Sequence, residues 1–319
     1  MKRISILVSI IVGGLLLTTG VASAHFTMVF PGEDMDVTPE DYIAHVGETK
    51  TVWIIWGHPY EHILFDMSSA PTVSVRDPEG DVEPLTATEI SVEGKKAYEV
   101  SFTVDKLGDW IVSATYEDDE EKLVDYVKAV IHCGEEAWMG WDANLGEKAE
   151  IVPFTRPYGL EEGFVFTGMA LYDGKALSDA DVEIEMYHTK AVGDEVVKKA
   201  EELFPYDPPM MFTRVTKTNA AGEFAYTLDE PGIWFVGAYG PEANGLTQRS
   251  VFIVPVLEAF PPEGKVDISA TGLEELQNRV KSLEDRLANM PDGEKAPGFA
   301  AFTGIIGLMA VGYLLRRRE

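Results

Sequence analysis

Short runs of alternating apolar and polar residues, punctuated by turn-forming residues, dominate the chain. Thr49 to Trp56 is a β-branched and aromatic run, and Ala97 to Val104 alternates apolar with polar. Asp109 to Thr115 and Leu123 to Ile131 follow, with turn signals at Asp77-Pro78-Glu79-Gly80-Asp81, Glu93-Gly94 and Leu107-Gly108-Asp109. This period of two predicts a first β-sandwich over residues 25–133. Residues 134–160, with Trp138, Trp141 and Pro153, read as an ordered connector. A second set of strands fills 161–258: Phe164 to Tyr172, Asp181 to Tyr187, Arg214 to Thr218, Glu223 to Leu228, Gly232 to Tyr239 and Arg249 to Val254. Asp173-Gly174 and Asn219-Ala220-Ala221-Gly222 supply hairpin turns between them. The expected fold is all-β, with two immunoglobulin-like or transthyretin-like β-sandwich domains.

Helical spacing is found in two places. Gly193 to Phe204 has helical character. Within a linker region at 259–296, Leu273, Leu276, Val280, Leu283 and Leu287 alternate spacings of three and four, the a/d seam of a short coiled coil. The Leu273–Leu287 seam fits a stalk helix that forms a homo-oligomer, or one that folds back on the body.

Both ends carry apolar segments. Lys2 and Arg3 precede an apolar run from Ile4 to Leu17, and Ala22-Ser23-Ala24 closes it, the layout of a signal peptide over 1–24. Cleavage there exposes His25 as the amino-terminal residue. At the other end Pro297-Gly298-Phe299 opens a segment, 297–319, in which the apolar stretch Ala300 to Leu315 is followed by Arg316-Arg317-Arg318. The segment is expected as a C-terminal apolar helix that holds the protein to the membrane. It resembles the PGF-CTERM sorting signal of archaeal surface proteins, in which a lipid anchor replaces the tail. A single-span tail anchor is the alternative, and both put the ectodomain on the extracellular face.

Charge narrows the partners. The chain has a net charge of −28, and between residues 25 and 297 it carries 21 basic against 53 acidic residues. Such a field repels nucleic acid and attracts cations. The single cysteine, Cys133, excludes an intrachain disulfide.

Candidate chemistry gathers in Trp56-Gly57-His58-Pro59-Tyr60-Glu61-His62-Ile63-Leu64-Phe65-Asp66. Two imidazoles and two carboxylates sit close in sequence, and neutral imidazole ligates nickel, cobalt, copper and zinc. His25 adds two nitrogens from one residue, its ring and an α-amine of pKa near 8. Glu61 and Asp66 are weaker ligand candidates, or orient a histidine from outside the coordination shell. His45 is a weaker fourth candidate at a turn. His132 and Cys133 read as a buried pair, and Met28, Met35 and Met67 as packing or as copper(I) ligands. Glu117 to Glu121 reads as a solvated hairpin tip, with calcium binding the alternative. Arg156 is expected to fix the connector by an ion pair.

Ala24-His25-Phe26, Gly57-His58-Pro59-Tyr60-Glu61-His62 with Phe65-Asp66, Glu150 to Leu160 (EIVPFTRPYGL) and Pro231-Gly232-Ile233-Trp234 together resemble the exported accessory proteins of nickel and cobalt uptake systems, which accompany energy-coupling-factor transporters. The resemblance covers about 24–256. It implies capture of a nickel or cobalt ion outside the membrane, with His25, His58 and His62 as ligands, and delivery to a membrane metal permease. Two other readings stand beside it: a structural surface-layer or adhesin-like protein, and a copper-dependent oxidase built on an amino-terminal histidine. No nucleophile–base signature, phosphate loop or paired-cysteine zinc site is present, so no enzymatic activity is expected.

Overall fold

The computed structural model describes residues 25–189 and 213–259, with isolated positions at Lys198, Glu202 and Lys281. The expected leader 1–24, nearly all of the Gly193 to Phe204 stretch, the expected Leu273–Leu287 seam and the expected 297–319 tail segment lie outside the described residues.

Ten strands come from the first half of the described chain: β1 (Phe26–Pro31), β2 (Ile43–Ala44), β3 (Glu48–His58), β4 (Ile63–Phe65), β5 (Thr72–Arg76), β6 (Val82–Leu85), β7 (Thr88–Val92), β8 (Lys95–Val104), β9 (Gly108–Asp118) and β10 (Leu123–Cys133). The second half supplies β11 (Ala149–Pro153), β12 (Leu160–Glu161), β13 (Phe164–Tyr172), β14 (Lys175–Ala176), β15 (Asp181–Met186), β16 (Arg214–Lys217), β17 (Glu223–Leu228), β18 (Gly232–Ala243) and β19 (Leu246–Leu257). A one-turn 3-10 helix, Pro39–Tyr42, starts at a capping box made by Thr38 and Asp41. Among the described residues no helix is long and apolar enough to cross a membrane.

The strands form three sheets. One has the order β1-β3-β8-β7, with β4 also paired to β3. Another has the order β11-β13-β14, with β17 paired to β13. Between them lies a ten-stranded sheet of order β16-β15-β18-β19-β10-β9-β5-β6, with β12 also paired to β19 and β2 to β10. It draws strands from both halves of the chain, joined where β10 runs parallel to β19.

The alternation of side chains across this shared sheet builds two cores. From β19, Val251 and Ile253 face one core, which holds Phe26, Met28 and Phe30 of β1. Phe252, Val254 and Val256 face the other, which holds Phe166 of β13 and Phe224 of β17. Strand β18 does the same, with Ile233 and Phe235 on one side and Trp234, Val236 and Ala238 on the other. The expected sandwiches therefore share their middle layer. A strand buried on both faces reads as a continuous apolar run, as the Val251–Val256 stretch does.

β1, which carries no alternation because all six of its residues are buried, is among the strands that the sequence pattern did not reveal, along with β4 to β7 and β11 in the expected connector. It pairs antiparallel with β3, Phe26 opposite Gly57. β3 runs through Gly57 and His58, so His58 ends a strand rather than sitting in the loop beyond it.

Candidate metal centre

Continuing the β1–β3 register by one residue sets His25 opposite His58. Their rings lie 4.3 Å apart, centroid to centroid, tilted by 52°. Two imidazoles bound to one ion with metal–nitrogen distances of roughly 2.1 Å have centroids about 4.6 Å apart at a right angle and about 5.3 Å apart at the tetrahedral angle. Trp56 stacks on His25 at 5.5 Å and 16°, and Phe65 packs edge-on against both histidines, at 4.7 Å from His25 and 5.3 Å from His58.

His58 is oriented by Glu61, which is buried and bonds to its Nδ1 across the tight β3–β4 turn. With Nδ1–H given to the carboxylate, the lone pair sits on Nε2, the arrangement that metal-ligating histidines use. Gly57 makes this turn possible. A Cβ there would lie 2.2 Å from the Ile63 carbonyl oxygen, so no other residue fits beside β4.

His25 is held by its backbone. Its carbonyl accepts from Arg249 Nη2, and the Thr27 amide donates to Asp125 Oδ2 at 2.9 Å. Arg249 and Asp125 face each other across the parallel β10–β19 pairing. They form a bidentate, almost wholly buried ion pair, 2.8 Å at Nε and 2.9 Å at Nη2. The guanidinium also lies over the Phe26 ring, 4.2 Å from its centroid, and bonds Tyr239 Oη at 3.0 Å. Desolvation, then the neighbouring His58 and Arg249, push the His25 imidazole down to about 4. The ring is thus neutral at physiological pH and able to donate a lone pair.

The remaining expected ligands are placed differently. His62 has φ 53°, and its Nδ1 lies 2.8 Å from the His188 carbonyl and 3.2 Å from Tyr187 Oη, with Nε2 3.2 Å from Glu93. Both nitrogens are engaged away from His25. His188 completes that second group by bonding the Tyr60 carbonyl through Nδ1 at 2.7 Å. Asp66 accepts from the Lys96 amide at 2.7 Å and so ties the β4 exit to β8. His45 is exposed in the turn that precedes β3, at the end of the strand opposite His58. Eleven strand residues span roughly 33 Å.

Met28, Met35 and Met67 are buried in the first core, and so is Cys133, whose thiol burial pushes up. His132 is the cross-strand partner of Asp109, with Nδ1 2.7 Å from its carboxylate and the ring stacked on Tyr158 at 4.2 Å. Arg156 makes no ion pair among the described residues. Instead its guanidinium lies 5.0 Å from the Trp138 and Tyr158 ring centroids, and its Nε donates to the Tyr158 carbonyl. This corrects the expected ion pair: aromatic faces, rather than a carboxylate, meet the guanidinium in the connector. Among the described residues one group of three potential ligand side chains lies within 4.8 Å, Asp77, Glu79 and Asp81. Lys106 already sits there, bonded to Asp77 and, at 2.8 Å, to Glu79.

Sequence reading missed the Asp125–Arg249 clamp. Its signal was Asp125 within the mostly apolar run Leu123 to Ile131, which also carries Lys128, and Arg249 at the head of the run Arg249 to Val254.

No curated protein sequence matches the chain. Solved structures similar to it include Salmonella alpha-2-macroglobulin reacted with methylamine, at 13% identity over 74% of this chain and TM-score 0.24. Trypsin-activated alpha-2-macroglobulin from Escherichia coli is 14% identical over 74% of this chain, TM-score 0.23. In both cases the chain spans 15% of the other protein's length. A 1.5-MDa bacterial ice-binding adhesin is 10% identical over 74% of this chain and 65% of that one, TM-score 0.22. These likenesses are too distant to transfer a function. One family profile, described as a domain of unknown function, DUF4198, matches residues 22–242, which include both β1 and the His58 turn. That match spans most of the chain, and the protein belongs to the DUF4198 family.

Proposed function

We propose that this protein captures a transition-metal ion, nickel or cobalt, at the outer cell surface and delivers it to a membrane metal transporter. The observation that supports this most directly is the His25–His58 pair, two imidazoles 4.3 Å apart with a carboxylate behind one of them. Removal of the leader after Ala24 adds the α-amine of His25, so two residues offer three nitrogens. Neutral nitrogen donors suit nickel, cobalt, zinc and copper(II). The acidic surface raises the local concentration of cations. The resemblance to nickel and cobalt uptake accessory proteins supplies the choice of metal and the transporter.

Isothermal titration of nickel, cobalt and copper into the mature protein beginning at His25, beside a form with one added amino-terminal residue, tests the reading. Tight one-to-one binding that the extra residue weakens supports amino-terminal capture. No binding by either form rejects it and leaves a surface-layer or adhesin-like role. A strong preference for copper, with oxidative turnover, shifts the reading to a copper-dependent oxidase.

A further inference from the structure

The two halves of the chain are joined along β10 and β19, and that pairing ends with Lys128 opposite Phe252. Beyond it each strand takes another partner. His132 and Cys133 of β10 pair with β2, and Val256 and Leu257 of β19 pair with β12. A cleft of about 440 Å³ opens where they part, lined from the first half by Ile43 and His132 and from the second by Tyr158, Pro255 and Leu257. Small-molecule sites occupy roughly 300–1,000 Å³ and favour such junctions. The connector adds Trp138 and Arg156 to the lining. The Arg156 guanidinium lies against the Trp138 and Tyr158 rings, and its Nε donates to the Tyr158 carbonyl at 3.3 Å. Its Nη1 and Nη2 donate to no group among the described residues. A stacked guanidinium with both terminal nitrogens unspent is a fork preset for a carboxylate. Glu40 and Glu135 also line the cleft; both are exposed, and neither side chain makes an ion pair among the described residues.

We propose that this cleft binds a small zwitterion of the amino-acid type with an apolar side chain. Arg156 takes its carboxylate, Glu40 and Glu135 face its ammonium, and Trp138, Ile43 and Pro255 cover its apolar part. The signs of the lining select this class. A simple anion would meet Arg156 but also two carboxylates, and a simple cation would meet the carboxylates but also the guanidinium. The net charge of −28 further disfavours a free anion, whereas a zwitterion carries no net charge. The cleft is separate from the histidine pair. β10 passes from Asp125, which braces β1 next to His25, to His132 at the cleft, roughly 23 Å further along the strand. The inference therefore does not depend on metal capture.

L-phenylalanine, 3-phenylpropionate and phenethylamine share a ring and a chain, and carry both charges, the carboxylate alone and the ammonium alone. Each is titrated calorimetrically into the mature full-length protein with excess chelator, which excludes binding through a metal ion. L-phenylalanine is expected to saturate one site, with both single-charge analogues at least about tenfold weaker. Arg156→Gln is expected to bring L-phenylalanine down to the level of phenethylamine. The double variant Glu40→Gln with Glu135→Gln is expected to bring it down to the level of 3-phenylpropionate. Trp138→Ala, at a position 55% exposed and outside both cores, is expected to weaken all three. The exposed glutamates and Trp138 keep the test decisive if loss of Arg156 loosens the connector in thermal melts. Absence of saturable L-phenylalanine binding overturns the proposal. So does a single-charge analogue that binds as tightly, or a glutamate double variant that binds L-phenylalanine unchanged.

Discussion

His58 and His132 each place Nδ1 against a carboxylate, and their surroundings make them different objects. The Glu61 partner of His58 is reached across a tight turn, and the ring beyond it faces a second imidazole at a partly exposed edge. The Asp109 partner of His132 is directly across the β9–β10 ladder at 0% exposure, and the flat stack on Tyr158 covers the ring. An oriented imidazole is therefore not yet a ligand. On the capture reading it becomes one when the fold leaves its second nitrogen open to an ion that a neighbouring donor shares. His62 makes the same point in a third way, since protein groups engage both of its nitrogens.

The largest effect is expected from the clamp that holds His25 in place. Asp125→Ala leaves Arg249 charged and buried without its carboxylate, a loss of about 3–5 kcal/mol. Chemical denaturation should show this as a lower midpoint, with metal affinity falling at the same time. A stable variant with normal affinity would mean that His25 needs no clamp.

Exchanging the two histidines separates their roles. His132→Ala removes a buried hydrogen bond and is expected to cost about 1–3 kcal/mol in the metal-free protein while the metal titration is unchanged. His58→Ala is expected to abolish stabilisation by added nickel in thermal melts. If His132→Ala also removes that stabilisation, the distinction between the pairs collapses.

Acid and base should attack different sheets, acid at His25 beside β1 and base at Glu185 in β15 of the shared sheet. The folded His25 ring titrates at about 4, below the ordinary 6.5, so the unfolded chain binds its proton first. That contribution to stability is present above about pH 6.5 and is lost as pH falls toward 4. Glu185 is the opposite case. Burial raises its carboxyl to about 8 from an ordinary 4.5, with Oε1 accepting from Thr213 at 2.7 Å and Oε2 unpartnered. Its contribution is full below about pH 4.5 and is lost as pH rises through 8. Denaturation of metal-free protein across pH should show both falls, with Glu185→Gln removing the alkaline one and His25→Ala the acid one. An unchanged alkaline limb in Glu185→Gln would refute the assignment.

The smallest effect is expected at His45. It is exposed at the far end of β3, so His45→Ala should stay within about 0.5 kcal/mol of the parent and leave metal binding intact. Any loss of affinity would bring it into the centre and contradict the strand geometry.

Much of the β architecture was legible because alternation and turn chemistry are local. β8, β9, β10, β13 and β17 appear where Ala97, Asp109, Leu123, Phe164 and Glu223 open their patterned runs. β1 was not legible, because a fully buried strand has no polar face to alternate with. The His25–His58 pairing was not readable from spacing, since it depends on the β1–β3 register. The His58–His62 spacing of four invited convergence, yet a tight hairpin connects them, and the ladder pairs His58 with Ile63 instead.

By itself the sequence determined the all-β class, the acidic surface, the absence of a disulfide and the residues among which metal chemistry had to be sought. These follow from composition and from periods of a few residues. Tertiary structure alone decided that the two sandwiches share a sheet and that Asp125 meets Arg249 across 124 residues. It likewise decided that His25 stands by His58 while His62 turns toward His188. Such pairings are set by strand register and by the burial of both faces of a sheet, and no local pattern encodes which distant strand will lie alongside.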